Sequence, residues 1–186
     1  TNMDGKVLKH RIFDEKYKRI YMVGDGSCLF HSLSRIFDLE DYTTKTWKER
    51  VEIGHRFRQL VVTRELYEEW LREKGFEGVP GILTYKEAAN PHVMADESLI
   101  NFTAWRLDLT LYMVKNADEV YVRYGKDPKA GACLLAHIDA CHFEPIVPFD
   151  HYSPFDLPDD VAMEVGAQCC VLPPDAGVFR KLKAIG

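Results

Sequence analysis

Arg19-Ile20-Tyr21-Met22-Val23-Gly24-Asp25-Gly26-Ser27-Cys28-Leu29-Phe30-His31-Ser32-Leu33-Ser34-Arg35-Ile36-Phe37 puts three local signals in a row. Arg19 to Val23 is a short apolar run of strand character. Gly24-Asp25-Gly26-Ser27 stops it with a cluster of turn-forming residues. From Cys28 onward, Leu29, Leu33, Ile36 and Phe37 recur at helical spacing. A strand, a glycine turn and a helix that opens on a cysteine are expected. A cysteine at a helix N-terminus lies at the positive end of the dipole, among N–H groups with no intrahelical partner. Both favour thiolate over thiol. The glycines let a substrate backbone approach closely. The same N–H groups can hold a developing oxyanion, an interaction whose loss costs about 3 kcal/mol. A tight turn ahead of a buried cysteine would use the same residues, so the segment alone does not establish chemistry.

Before this stretch, residues 1–18 are polar with scattered apolar positions and are expected as an exposed arm or short helix. After it, residues 43–64 carry the longest helical pattern. Thr46 and Glu49 form a capping box, and Trp47, Val51, Phe57, Leu60 and Val61 make an approximate apolar stripe. Helix continues through Leu66–Leu71 to about Gly75. Residues 75–84 hold three glycines and a proline, hence a loop. A helical turn follows over Tyr85–Ala89, ended by Asn90-Pro91. Asp96 caps a further helix to about Trp105. Strands are then expected over residues 107–114, 119–124, 133–138 and 142–147, the last with a proline suited to an edge position or a strand end. The last 40 residues are proline-rich and are expected as irregular cover, with short strands near 167–172. Helices followed by strands argue for an α+β domain. One domain of residues 1–186 is expected, with its core over about 19–148, an arm over 1–18 and cover over 149–186.

Composition narrows the function classes. Of 186 residues, 46% are apolar and 28% charged, with a net charge of −5. That is ordinary for a globular protein long enough to bury a core without disulfides or metal. Nothing suggests a broad basic face for nucleic acid. No run of about 18 apolar residues suggests a membrane span. The five cysteines, Cys28, Cys133, Cys141, Cys169 and Cys170, are an odd number and no secretory signal opens the sequence. A reducing, cytoplasmic setting with free thiols is expected. His137 and Cys141 with Cys133 nearby do not form a C-x-x-C pair, and Cys169-Cys170 are adjacent, so no metal is expected.

A thiolate needs a base, and the base needs orienting. Among seven histidines, His142 stands out because it opens the last strand with Glu144 two residues on. Residues i and i+2 of a strand share a face, so the carboxylate can fix the imidazole tautomer while Phe143 points into the core. A surface His–Glu pair would look the same in sequence. His31, three residues after Cys28, shares its helix face and ranks as secondary.

Together, Gly24-Asp25-Gly26-Ser27-Cys28-Leu29-Phe30-His31-Ser32 and Leu134-Leu135-Ala136-His137-Ile138-Asp139-Ala140-Cys141-His142-Phe143-Glu144 resemble the nucleophile and histidine motifs of ovarian-tumour (OTU) cysteine proteases. The resemblance covers roughly residues 19–148 and looks closest to viral OTU domains of the nairovirus type. It implies a papain-type cysteine protease fold, a helical lobe packed on a small, mostly antiparallel sheet. It implies Cys28 as nucleophile, His142 as general base, Glu144 as the orienting third residue, and Asp25 as the aspartate linked to the oxyanion site. The implied partners are ubiquitin and, in viral members, an interferon-induced ubiquitin-like modifier. A monomer in the host cytoplasm is expected, with no cofactor. Two departures stand out. Met94-Ala95-Asp96 occupies the place where many relatives carry Trp-Gly, and the third residue is Glu rather than Asp or Asn. A polyprotein-processing protease and an inert ubiquitin-binding module are the alternatives.

Overall fold

Pro145 lies inside the sheet, and its missing N–H governs where the sheet's longest-range pairing stops. The structure, a computed structural model, describes residues 7–10, 13–115, 120–125, 131–138, 142–151 and 156. Its strands are β1 (Val7–His10), β2 (Phe13–Arg19), β3 (Leu109–Lys115), β4 (Val120–Tyr124), β5 (Gly131–Ile138) and β6 (His142–Pro148). They form one sheet in the order β1-β2-β6-β5-β3-β4. Only β3 and β5 run parallel; the other four pairs are antiparallel. β6 is therefore internal, not an edge. Its ladder with β2 runs from Tyr17↔Pro148 to Arg19↔Ile146. At the next pair the Ile20 N–H still donates to the Pro145 carbonyl at 3.1 Å. Pro145 has no N–H to return, so the ladder ends there and β2 stops at Arg19. Residues 20–23, expected as strand, lie outside the strands and lead to the glycine turn, with Ile20 and Met22 buried.

The segment expected as an arm or short helix instead supplies β1 and β2. Pairing with β6 overrides a weak local pattern, as strand context commonly does. The expected strands near 167–172, Cys141, Cys169 and Cys170 lie outside the described residues.

Among the described residues there are five α-helices: α1 (Cys28–Phe37), α2 (Trp47–Val61), α3 (Arg64–Lys74), α4 (Tyr85–Ala89) and α5 (Glu97–Leu107). Their boundaries follow local chemistry. Thr46 accepts from the Glu49 N–H to start α2, Thr84 and Glu87 form a full capping box on α4, and Asp96 caps α5. Gly75 ends α3 in the left-handed region at φ 73°, where glycine carries no Cβ penalty. The expected continuous helix over 43–71 is two, because Val62 and Thr63 leave helical geometry between α2 and α3.

The buried face of α2 also differs from expectation. It runs through Arg50, Ile53, Gly54, Arg58 and Val61, while Leu60 is 69% exposed. Two arginines point inward because each meets acceptors. Arg50 donates to Asp156 at 3.3 Å and to the Thr43 carbonyl at 2.9 Å. Arg35 on α1 donates to both Asp156 oxygens at 2.9 and 3.1 Å. Asp156 is thereby locked, fully buried, between α1 and α2. Buried charge of this kind is tolerated only when paired.

Candidate active site

The first residue of α1 is Cys28, 1% exposed. Its helix is not capped by the Ser27 side chain. The Ser27 hydroxyl instead donates to the Pro91 carbonyl at 2.5 Å and accepts from Arg58 at 3.0 Å. The first N–H groups of α1 are left for whatever binds beside the sulfur. Gly26 holds the turn at φ 95°, and a Cβ there would stand 2.4 Å from the His92 carbonyl oxygen. Only glycine fits.

α1 lies across β6, the contact that joins the two ends of the sequence. The Phe143 N–H donates to the Cys28 sulfur at 3.4 Å. The Ser32 hydroxyl donates to the Cys28 carbonyl at 2.7 Å and reaches the Phe143 carbonyl at 3.3 Å. Phe143 is buried, as expected, and stacks on the His137 ring at 4.5 Å. His142 and Glu144 share the opposite face of β6. His142 Nε2 faces Glu144 Oε2 at 3.3 Å, and the Cys28 side chain is the largest influence raising the ring's pKa. With Nε2 directed at the carboxylate, Nδ1 is left for a partner on the other side of the ring. Gly24 flanks the ring, a Cβ there lying 3.7 Å from Nδ1.

The electrostatics follow. The His142 pKa is raised to about 9, first by the Cys28 side chain and next by Glu144, against burial, which lowers it. Glu144 is 2% exposed, and its Oε1 is buried without a hydrogen-bond partner. A buried carboxylate so placed favours a positive charge on the neighbouring ring. Sulfur, imidazole and carboxylate are thus contiguous, an arrangement able to carry out nucleophilic acyl transfer with a shuttled proton.

Asp25, the fourth expected site residue, does not touch the sulfur. It accepts from the Ser27 N–H at 3.0 Å, from His31 Nε2 at 2.9 Å and from His55 Nε2 at 2.8 Å. Burial pushes its carboxyl up, but the His31 contact, the Ser27 N–H and His55 outweigh burial and hold it well below the usual carboxylate range. Sequence reading ranked His31 as secondary and missed His55 and Arg58. Arg58 donates to the Ala88 carbonyl at 2.8 Å and to the Gly26 carbonyl at 3.0 Å, fastening α2 and α4 to the nucleophile turn. Burial lowers its pKa to about 10 while Asp25 and Cys28 oppose the shift. The available signal was Gly54, an isolated glycine in a helical pattern, which usually marks a close packing contact. The stretch Met94-Ala95-Asp96 ends in the α5 cap. Asp96 also accepts from the Leu83 N–H at 3.3 Å, tying the preceding loop to that helix.

Among the described residues, Asp25, His31 and His55 are the one group whose donor atoms lie close enough for a metal, all within 4.8 Å of one another. His31 Nδ1 is buried without a partner. A ring ligating through Nε2 normally donates its other N–H to an acceptor, and this one has none, so the three groups fit a hydrogen-bonded cluster better than a cation.

The α+β arrangement of helices on this mixed sheet is an OTU-type fold. Viral OTU domain protease from Taggert virus superposes with a TM-score of 0.51 at 19% identity, covering 71% of this chain and 80% of that one. The Hazara virus OTU bound to ubiquitin gives 0.52 at 16%, covering 71% and 81%. An OTU deubiquitinase from Wolbachia pipientis wMel gives 0.50 at 14%, covering 79% and 98%. No protein-family model and no curated sequence matches the chain.

Proposed function

We propose that the chain is a cysteine-type deubiquitinase, which removes ubiquitin or a ubiquitin-like modifier from conjugates through an acyl-enzyme. The observation that carries this reading is the Cys28 sulfur held 3.4 Å from the Phe143 N–H, next to His142, whose ring is coupled to that sulfur and faces Glu144. Cys28 sulfur attacks the carbonyl carbon of the modifier's last residue. The carbonyl oxygen takes the negative charge and is held by N–H groups at the start of α1. The His142 imidazolium gives its proton to the departing amine, the C–N bond breaks, and a thioester remains. Water attacks the thioester, His142 takes its proton, and the thiolate leaves. Glu144 keeps the Nε2–H tautomer and supports the imidazolium in each half.

Ubiquitin as substrate is supported by the OTU fold, since the Hazara virus neighbour was solved with ubiquitin bound. Gly24 beside His142 leaves that flank of the ring free of side chain, which suits a tail of glycines. The test is ubiquitin carrying a C-terminal electrophile. A covalent adduct, heavier by one ubiquitin and lost in Cys28→Ala, is expected. Ubiquitin binding without any adduct would show an inert binding module instead. A panel of linkages and ubiquitin-like modifiers then ranks the substrates.

A further inference from the structure

Two neighbouring residues on α2 act together on a cluster beside the nucleophile. His31 sits one helical turn beyond Cys28 and is 1% exposed. A Cβ at residue 54 would stand 1.8 Å from His31 Nδ1 and 2.5 Å from its Cε1. The ring therefore fills a notch in α2 that exists because residue 54 is glycine. In that notch Nδ1 has no hydrogen-bond partner. A proton on Nδ1 would bury an unpaired donor, so the proton belongs on Nε2. Nε2 then donates to Asp25, 2.9 Å from Oδ1 and 3.1 Å from Oδ2. The next residue of α2, His55, donates to Oδ2 at 2.8 Å. The rings of His31 and His55 lie 5.4 Å apart, both with Nε2 on the same carboxylate.

We propose that His31 and His55 are positioning residues that clamp the Asp25 carboxylate, and that Gly54 is the notch that makes the clamp possible. The clamped Oδ1 accepts the Ser27 N–H at 3.0 Å. It thereby fixes the turn from Gly24 to Cys28, which aims the first amides of α1. A carboxylate free to rotate would leave that turn to Arg58 and the Ser27 hydroxyl alone. The side-chain hydrogen bonds of both histidines go to Asp25, so both act through it. The proposal rests on the acyl-transfer reading for its kinetic consequence but not for its geometry.

Three measurements test it. His55 is partly exposed, so its replacement is mild for folding. With a fluorogenic amide at the ubiquitin C-terminus, His55→Ala lowers kcat roughly tenfold at unchanged KM, less than the outright loss of an oxyanion donor. His55→Gln, whose amide nitrogen can take the place of Nε2, recovers most of it. Wild-type kcat in His55→Ala, or a higher KM at constant kcat, overturns the clamp. Gly54→Ala ordinarily stabilises a helix interior, but here it lowers the urea midpoint, and in a His31→Ala background it becomes neutral or stabilising. Equal damage in both backgrounds overturns the notch. Nitrogen-15 NMR of labelled histidine at pH 7 reports His31 as the Nε2–H tautomer, and the Nδ1–H tautomer overturns the proposal. If the wild-type protein turns over no ubiquitin substrate, the deubiquitinase reading falls, while the tautomer and the Gly54–His31 cycle still judge the clamp.

Discussion

Replacing Glu144 by glutamine removes one charge and little else. The side chain is 2% exposed and isosteric with its replacement, and its Oε2 lies 3.3 Å from His142 Nε2. Glutamine can still present an oxygen to Nε2–H, so the tautomer and ring orientation are kept. What disappears is the carboxylate's attraction for the imidazolium. The full elevation of His142, from 6.5 to about 9, corresponds to about 3 kcal/mol. Glu144 ranks behind Cys28 among the causes that raise it, and its share is on the order of 1 kcal/mol. A carboxylate favours the protonated ring. Its loss must therefore lower the pKa, and the alkaline limb of the pH–rate profile must move towards neutrality by somewhat less than about one pH unit. At the optimum, the same energy withdrawn from the transition state slows turnover roughly fivefold. The assay is kcat/KM on a ubiquitin C-terminal amide from pH 6 to 10, wild type against Glu144→Gln. An alkaline limb that stays in place, or moves upward, refutes the assignment of Glu144 as the charge behind His142.

Three other outcomes follow from contacts already described. Gly26→Ala would put a Cβ 2.4 Å from the His92 carbonyl at a positive φ, and its kcat should fall by roughly 100-fold, the scale of a misplaced oxyanion donor, with a lower urea midpoint. Arg58→Met leaves the Ala88 and Gly26 carbonyls without their guanidinium donor, and urea unfolding should show about 2–4 kcal/mol less stability. Asp156→Ala strips the shared carboxylate from two buried arginines, and the same measurement should show a loss of about 3–5 kcal/mol; a loss under about 1 kcal/mol would mean that solvent reaches the pair.

What was legible in the sequence was local. Helix starts at Thr46 and Asp96 and the stop at Gly75 are fixed by one side chain or one glycine each, so their boundaries can be read without knowing the partner elements. Strands β3 to β6 were legible from apolar, β-favouring runs. The glycine turn and the His-Phe-Glu strand each carried enough chemistry to nominate Cys28, His142 and Glu144. Less legible was everything set by distant pairing. β1 and β2 become strands through β6, which no periodicity in residues 7–19 announces. Pro145 looked like an edge residue because proline cannot donate, yet it sits in an internal strand where the ladder with β2 ends. The apolar stripe of α2 is only part of its buried face: Trp47, Phe57 and Val61 pack on the core while Leu60 is exposed, and Arg50 and Arg58 turn inward because they find acceptors in Thr43, Asp156, Gly26 and Ala88. The ring pair around Asp25 was hidden because His31 and His55 are 24 residues apart and meet only when α1 packs on the notch at Gly54.

That Cys28 and His142 share a proton is tested most directly by NMR titration of the His142 ring in histidine-labelled protein. A midpoint near 9, against the ordinary 6.5, is expected in the wild type, with a clear fall in Cys28→Ala because the sulfur is the largest cause of the elevation. A midpoint near 6.5 that Cys28→Ala does not move would contradict it.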